Sequence, residues 1–406
     1  MDKDNYINKI KGEEIKINII FLGLAFAFVF MTRDKYLLIS GNSVFFILMV
    51  LSSLYYFVVK QYNLRINFGM LLAVTSIFIS VVQALHASER FDSGYFFSFI
   101  LILSVYIMVN SFEINIREVR YLISCLIFSI IIISLIIIIF KVDYYDGNTG
   151  RFTIRIINSD TYVDPNHLGG FLASFSMFPL IRLINERSKR KKIIYSAICI
   201  CVIIATLMTG SRGAMISLAI NIIFITIHYL INSRGFKIFN YKFIIITIGI
   251  GILMFISVKY LPDSSFNRLF VNDYADGGNA LRVTHWLSAI DCIKISPLTG
   301  YGLVNPYDIL ATYSFAGQAV HNTYLEIILQ YGLLGSLPFI FIIVRNILFC
   351  IKKENVFLLG FSISMLFNCV LIGASLTVTF WGAIIITTIL MNFSRRNKDM
   401  NISKLL

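Results

Sequence analysis

Residues 127–140 and 243–258 form two apolar runs without a single charged side chain. With their flanks, each reaches the roughly 20 residues that cross the hydrocarbon core of a bilayer. A chain that repeats such runs cannot hide them all in a water-soluble core. The composition agrees: 57% of the residues are hydrophobic and 14% charged, against about 25% charged in a soluble globular domain. The missing polar surface has to be lipid-facing surface instead. A soluble enzyme is excluded on these grounds.

The alternation of apolar and polar stretches predicts twelve spans. They lie near residues 17–31, 36–59, 66–85, 95–112, 119–140, 166–184, 193–209, 213–231, 243–260, 323–347, 355–372 and 375–392. The expected fold is an all-α integral membrane protein, a single polytopic domain over residues 1–406. An even number of spans leaves both termini on one side. Cytoplasmic loops carry the excess of Lys and Arg, so the net charge of +13 is read by its placement. With both termini cytoplasmic, most of the 35 Lys and Arg residues fall inside, including the cluster from Arg187 to Lys192. The inverse topology would put that cluster outside.

Lys3, Lys9, Lys11 and Lys16 precede the first apolar run, and no small-residue cleavage site follows it. No cleavable signal peptide is expected. The six cysteines do not form a disulfide framework. Cys125, Cys199, Cys201 and Cys369 lie in apolar runs, Cys350 beside basic residues, and Cys292 alone in a long polar stretch.

Two connections on the expected outer side are long: residues 141–165, and residues 261–322 between spans nine and ten. Long connections held between spans are where function concentrates. The shorter one holds Arg151, Arg155 and the run Asp164-Pro165-Asn166-His167-Leu168-Gly169-Gly170, where Asp or Asn caps span six. Thr209-Gly210-Ser211-Arg212-Gly213 turns between spans seven and eight. The longer connection carries Arg268, Arg282, His285, Trp286 and the stretch from Pro297 to Gly302. It ends at His321-Asn322-Thr323-Tyr324-Leu325-Glu326, shortly before Gln330-Tyr331-Gly332.

Guanidinium forks match phosphate oxygens in pairs and stay charged at headgroup level. Arg212, in a tight turn, together with Arg268 and Arg282 suits a lipid-linked pyrophosphate at the membrane surface. The plainer alternative is that these arginines snorkel to ordinary headgroups. His321 heads the tenth span on the same side, and an imidazole there can take a proton from an attacking hydroxyl. Alone, it also reads as an interfacial anchor. Glu326 follows about 7 Å deeper along a helix, where an acid needs a partner; Arg282 or His321 could serve, although a spacing of five does not put Glu326 directly under His321. Asp273 and Asp276 beside glycines read as a polar turn rather than a calcium loop, and His228 as packed core. No nucleotide or metal motif is recognisable, so neither cofactor nor metal is expected.

These stretches resemble the O-antigen polymerase and ligase superfamily of bacterial membrane glycosyltransferases. The residues that carry the resemblance run from Asp164 to Phe171, from Thr209 to Ala214 and from His321 to Gly335, with Arg282, Trp286 and the Pro297 to Gly302 stretch in support. It covers residues 160–340; the first five spans match in topology only. The resemblance implies transfer of a glycan from undecaprenyl pyrophosphate to a sugar hydroxyl, at the outer face of the inner membrane and without a nucleotide sugar. It implies that Arg212 and Arg282 engage the pyrophosphate and that His321 positions or deprotonates the acceptor. Arg268 follows as a third phosphate ligand, and Asn166, His167, Asn322 and Glu326 as supporting substrate-binding residues. Donor, acceptor, membrane lipid and a chain-length regulator protein are the implied partners, with no nucleic acid.

Polymerase and ligase share the donor and differ in the acceptor, which is a second lipid-linked repeat or lipid A-core. The Asp164 to Gly170 stretch looks more polymerase-like. A flippase of the lipid-linked repeat is the alternative of another class. Transporters place charge at mid-membrane, whereas here it gathers in the outer connections.

Overall fold

In lipid, every backbone N–H and C=O has to find its partner inside the protein, and the helix is the local solution. The computed structural model describes residues 14–30, 44–60, 74, 75, 78, 82, 93–144, 150–156, 161–232, 278–313, 319–353, 355–375 and 377–396. Over them the chain forms α1 (Ile17–Phe28), α2 (Val44–Val58), α3 (Ser93–Ser111) and α4 (Ile116–Phe140). A two-stranded antiparallel ladder follows, β1 (Val142–Asp143) with β2 (Phe152–Thr153). Then come α5 (Pro165–Phe175), α6 (Met177–Asn185), α7 (Lys189–Met208) and α8 (Arg212–Asn232). Last are α9 (Gly278–Ile295), α10 (Pro306–Tyr313), α11 (Thr323–Lys352), α12 (Val356–Leu371) and α13 (Val378–Arg396).

Among the described residues, five stretches are long and apolar enough to cross a membrane: α4, α5 continued by α6, α7, Arg212–Tyr229 of α8, and α11. Shorter apolar helices occupy the predicted spans at 17–31, 36–59, 95–112 and 355–372, and α13 that at 375–392. The predicted spans at 66–85, almost wholly, and at 243–260 lie outside the described residues, as do both termini. Arg268, Asp273 and Asp276 lie there too.

Local chemistry sets the helix boundaries. Asn115 and Glu118 form a reciprocal capping box at the start of α4, with the Glu118 N–H donating to Asn115 Oδ1 at 2.8 Å. Predicted span six is broken at Ser176 into α5 and α6; Pro179 has no N–H to return to the Phe175 carbonyl. Aromatic rings fill the space between α5, α6 and α12. Phe171 stacks on Phe175 at 4.3 Å, and Phe361 meets both Phe175 and Phe178 at 5.1 Å. Polar side chains cross-link the same helices. Asn221 Nδ2 donates to the Ala173 and Ser174 carbonyls at 2.7 and 2.9 Å, and Ser364 Oγ to the Ser217 carbonyl at 3.0 Å. Such bonds hold helices together where burial of apolar surface drives little association.

Residues 261–322 were expected as one polar outer loop. From residue 278 onward that stretch contains α9 and α10, and Cys292 is buried rather than set in a polar segment. Ala289, Cys292, Val304, Ile309, Leu310, Val320 and Leu329 form a second, small apolar core there. Its seam with α11 is a helix break. Gly332 sits at φ 64°, ψ −177° inside α11, a backbone region essentially restricted to glycine, and a Cβ there would run into the backbone of Leu298. The break frees backbone groups that the Pro297 to Gly302 strap then satisfies. Tyr301 and Gly302 N–H donate to the Leu329 and Gln330 carbonyls at 3.0 and 2.8 Å, and Leu333 and Leu334 N–H to the Pro297 and Leu298 carbonyls at 2.8 and 3.1 Å. The two glycine-bearing motifs of the sequence are thus halves of one joint.

Candidate functional site

The end of the bundle that carries this joint also carries the start of α5, the α7–α8 turn and the start of α11. Asp164 caps α5, accepting from the Asn166 N–H at 2.7 Å, and Pro165 takes the first helical position. The cap expected from the sequence is therefore made by Asp164. Its carboxylate also faces Arg151 Nη2 at 4.0 Å. Arg151 is buried and is delivered by the β1–β2 ladder, with its guanidinium 5.5 Å from the centre of the Tyr144 ring. The ladder continues through Arg155 and Tyr162, so Arg155 is exposed and on its rim.

Gly169, one turn into α5, lets the α7–α8 turn close on the helix. A Cβ at Gly169 would lie 2.5 Å from Thr209 Oγ1 and 3.0 Å from the Ala214 Cβ. Arg212 is the first residue of α8 and is exposed. It therefore stands beside the start of α5.

α9 presents Arg282, His285 and Trp286 at spacings of three and four, one face of one turn. His285 is buried, and its ring lies against His321 with centroids 6.2 Å apart and planes 30° apart. His321 has φ 52°, an uncommon conformation for a residue with a side chain. It immediately precedes Asn322, which caps α11 by accepting from the Tyr324 and Leu325 N–H groups at 3.0 and 3.1 Å. The helix start and its cap thus hold the imidazole in place.

Electrostatics tie these elements together. Burial lowers the His321 pKa below the usual histidine value; Arg282, His285 and His167 lower it as well, and Asp164 opposes them. The neutral form of the ring is thereby favoured. Burial likewise lowers the His285 pKa. Burial alone would raise Asp164, but His167, Arg151, the Asn166 N–H and His321 together hold its carboxyl below the ordinary range.

The structure therefore brings His321, Arg282 and His167 together and places Asn166 on the adjoining first turn of α5. Arg268 lies outside the described residues. Asn322 uses its side-chain oxygen as the cap of α11. Glu326 was expected to pair with Arg282 or His321, but it turns into the bundle. Its Oε2 accepts from the Ser375 N–H at 3.3 Å, and the carboxylate packs against Gly373. Thr323 Oγ1 donates to the Ile372 carbonyl at 2.7 Å and accepts from the Ala374 N–H at 3.0 Å. Glu326 thus belongs to the clasp on the α12–α13 connection, because that backbone offers donors at its depth.

Asp164 as a partner of His321, Arg151 behind it, and His285 against the imidazole were not assigned from the sequence. The signals were there: a cap residue followed three places on by a histidine, and Arg282, His285 and Trp286 on one helical turn. Among the described residues, no group of three or more His, Cys, Asp or Glu side chains is arranged to hold a metal ion.

A family model described as O-antigen ligase matches residues 197–340. The matched stretch contains the Arg212 turn, Arg282, the joint at Gly332 and His321; Asp164 to Gly170 precede it. No curated protein matches the sequence. Residues 197–340 are thus similar to the family this model describes, which supports the resemblance to the O-antigen polymerase and ligase superfamily.

Proposed function

We propose that this multi-pass membrane protein is a surface-polysaccharide polymerase, moving a glycan from undecaprenyl pyrophosphate to a sugar hydroxyl of a lipid-linked repeat unit. The observation that carries the proposal is the half-buried imidazole of His321, whose ring lies against His285 and whose pKa is lowered by burial and Arg282 and raised by Asp164. In the reaction, the acceptor hydroxyl oxygen bonds to the anomeric carbon while the bond from that carbon to the pyrophosphate oxygen breaks. His321 takes the hydroxyl proton, and the pyrophosphate leaves on its lipid. Its charge is met by the guanidinium groups of Arg282 and Arg212. A single in-line displacement inverts the anomeric centre. The donor is already activated, so this route calls for no covalent intermediate.

The active face is the periplasmic or exterior side of the inner membrane, since the basic cluster after α6 marks the opposite end as cytoplasmic. The second reading, a ligase that transfers the finished glycan to lipid A-core, is favoured by the description of the matching family model. Deletion of the gene in its host, with the surface glycan sized and the lipid-linked intermediates counted, separates the two. Single repeats in place of a ladder support the polymerase. Long lipid-linked polymer that never reaches its acceptor establishes the ligase. Repeats trapped on the cytoplasmic leaflet overturn both in favour of a flippase.

A further inference from the structure

The opposite end of α11 has a second concentration of cations, away from the site above. Leu337, Ile340, Val344 and Leu348 line one face of the helix at steps of three and four, each about half exposed. They floor an apolar groove of about 650 Å³. Arg345 and Lys352 from α11, with Arg395 from the end of α13, line the same groove. An apolar trough on a membrane-facing helix is ordinary. Its closure at one end by three cations is not.

Charged residues inside an apolar helix are costly unless partnered, so the surroundings of these three matter. Arg345 Nη2 donates to Asn346 Oδ1 at a long 3.4 Å, and its buried Nε has no hydrogen-bond partner among the described residues. The Arg345 guanidinium also bears electrostatically on the buried Tyr106 hydroxyl and on Arg395. Arg395 lies 5.6 Å from the centre of the Phe349 ring. No carboxylate pairs with Arg345, Lys352 or Arg395 among the described residues. Elsewhere at this end the acids do find bases: Glu118 meets Lys16 at 3.2 Å, and Glu113 meets Arg396 at 2.7 Å. Two like-charged guanidiniums are therefore held side by side at the head of an apolar groove, and that arrangement is complementary to an anion with a hydrocarbon tail.

We infer that this groove is a binding site for an anionic phospholipid of the leaflet at the basic end of the bundle. The phosphate sits at Arg345 and Arg395, with Lys352 at its rim, and an acyl chain lies along Leu337, Ile340, Val344 and Leu348. Guanidinium forks suit phosphate oxygens, and basic pockets between spans at a membrane surface select anionic headgroups. The bound lipid would tie α11 to α13. The inference is independent of the glycan-transfer reading, because it involves none of the residues placed in that site.

The test is native mass spectrometry of the full chain in detergent, titrated with phosphatidylglycerol or phosphatidylcholine of the same chains. Phosphatidylglycerol is expected to be retained and phosphatidylcholine lost. R345Q/R395Q is expected to weaken phosphatidylglycerol retention by about fivefold per arginine, with K189Q, in the exposed basic cluster, unchanged. If the double variant does not fold, K352Q and the groove-filling I340W, both at exposed positions, carry the test, each with weaker retention. Equal retention of the two lipids overturns the inference, as do wild-type retention by the variants and preferential displacement by undecaprenyl phosphate.

Discussion

The two ends of the helical bundle use charge differently. At the basic end, Glu118 is fully buried and meets Lys16 Nζ at 3.2 Å while closing the Asn115 capping box; the acid is absorbed in starting α4. At the other end, Asp164 also caps a helix, but its carboxylate additionally faces Arg151, His167 and His321. Around His321, Arg282, His285 and His167 all disfavour protonation and one acid opposes them. The first arrangement is complete with its own residues. The second gathers groups of one sign around an imidazole, which suits a substrate that brings negative charge and a hydroxyl. Both acids take part in helix-start capping with a base nearby, so composition alone would not tell them apart. Position and burial do.

The most direct way to break this contrast is to remove one residue from each end. His321→Ala should lower glycan transfer by about 10²–10⁴-fold, the usual contribution of a general base, at unchanged protein level. Lys16→Met should leave transfer per molecule as it was. Sizing the surface glycan in complemented deletion strains, with the protein quantified by immunoblot, reads both. A ladder restored by His321→Ala would remove the imidazole from the chemistry.

Gly332 is the next largest. Its conformation excludes a side chain and its Cβ would meet Leu298, so Gly332→Ala should cost about 2–3 kcal/mol. The strap from Pro297 to Gly302 should detach from α11, and α9 lose its seat. Thermal melting of the detergent-purified protein checks this. A wild-type melt would mean that the joint does not hold the outer core in place.

How much of this was legible in the sequence depends on the range of the interaction. Helix positions follow from apolar runs of bilayer length, and the Asp164 cap from a side chain two residues away. Glycines at 300 and 332 announced special backbone, but not that each sits in the other's gap, because that contact joins segments thirty residues apart. Glu326 shows the same limit: the sequence demanded a partner for a deep acid, and the partner is the backbone near Ser375, which no residue type advertises. His285 escaped assignment because only the packing of α9 on α11 brings its ring to His321.

Arg212 tests the reading with a smaller effect. Arg212→Lys keeps the charge and removes the planar fork, so transfer should fall on the order of tenfold in the same glycan-sizing assay. Equal activity would make Arg212 a point charge or a headgroup anchor. At the basic end, Lys16→Met should destabilise by about 1 kcal/mol, since it removes the ammonium and leaves the Glu118 carboxylate with the Asn115 box and the residue-16 backbone N–H. Melting without loss of specific activity is the expected pattern.

The finest test is the pH profile. His321 works as a base only when deprotonated, so activity rises with pH through its pKa, and that rise should be centred below the usual histidine value because burial and Arg282 both lower it. Asp164 raises it. Asp164→Asn should therefore move the acidic limb to still lower pH, while Arg282→Gln should move it up. Both variants lose activity for other reasons, Asp164→Asn through Arg151 and Arg282→Gln through the phosphate. The midpoint, unlike the maximum, is insensitive to those losses. Opposite displacements of the limb, read from initial transfer rates in detergent across pH 5–8, would identify His321 as the titrating base. Displacements in the same direction, or none, would assign the limb to another group and leave Asp164 with a capping role alone, as Glu118 has in the capping box at the other end.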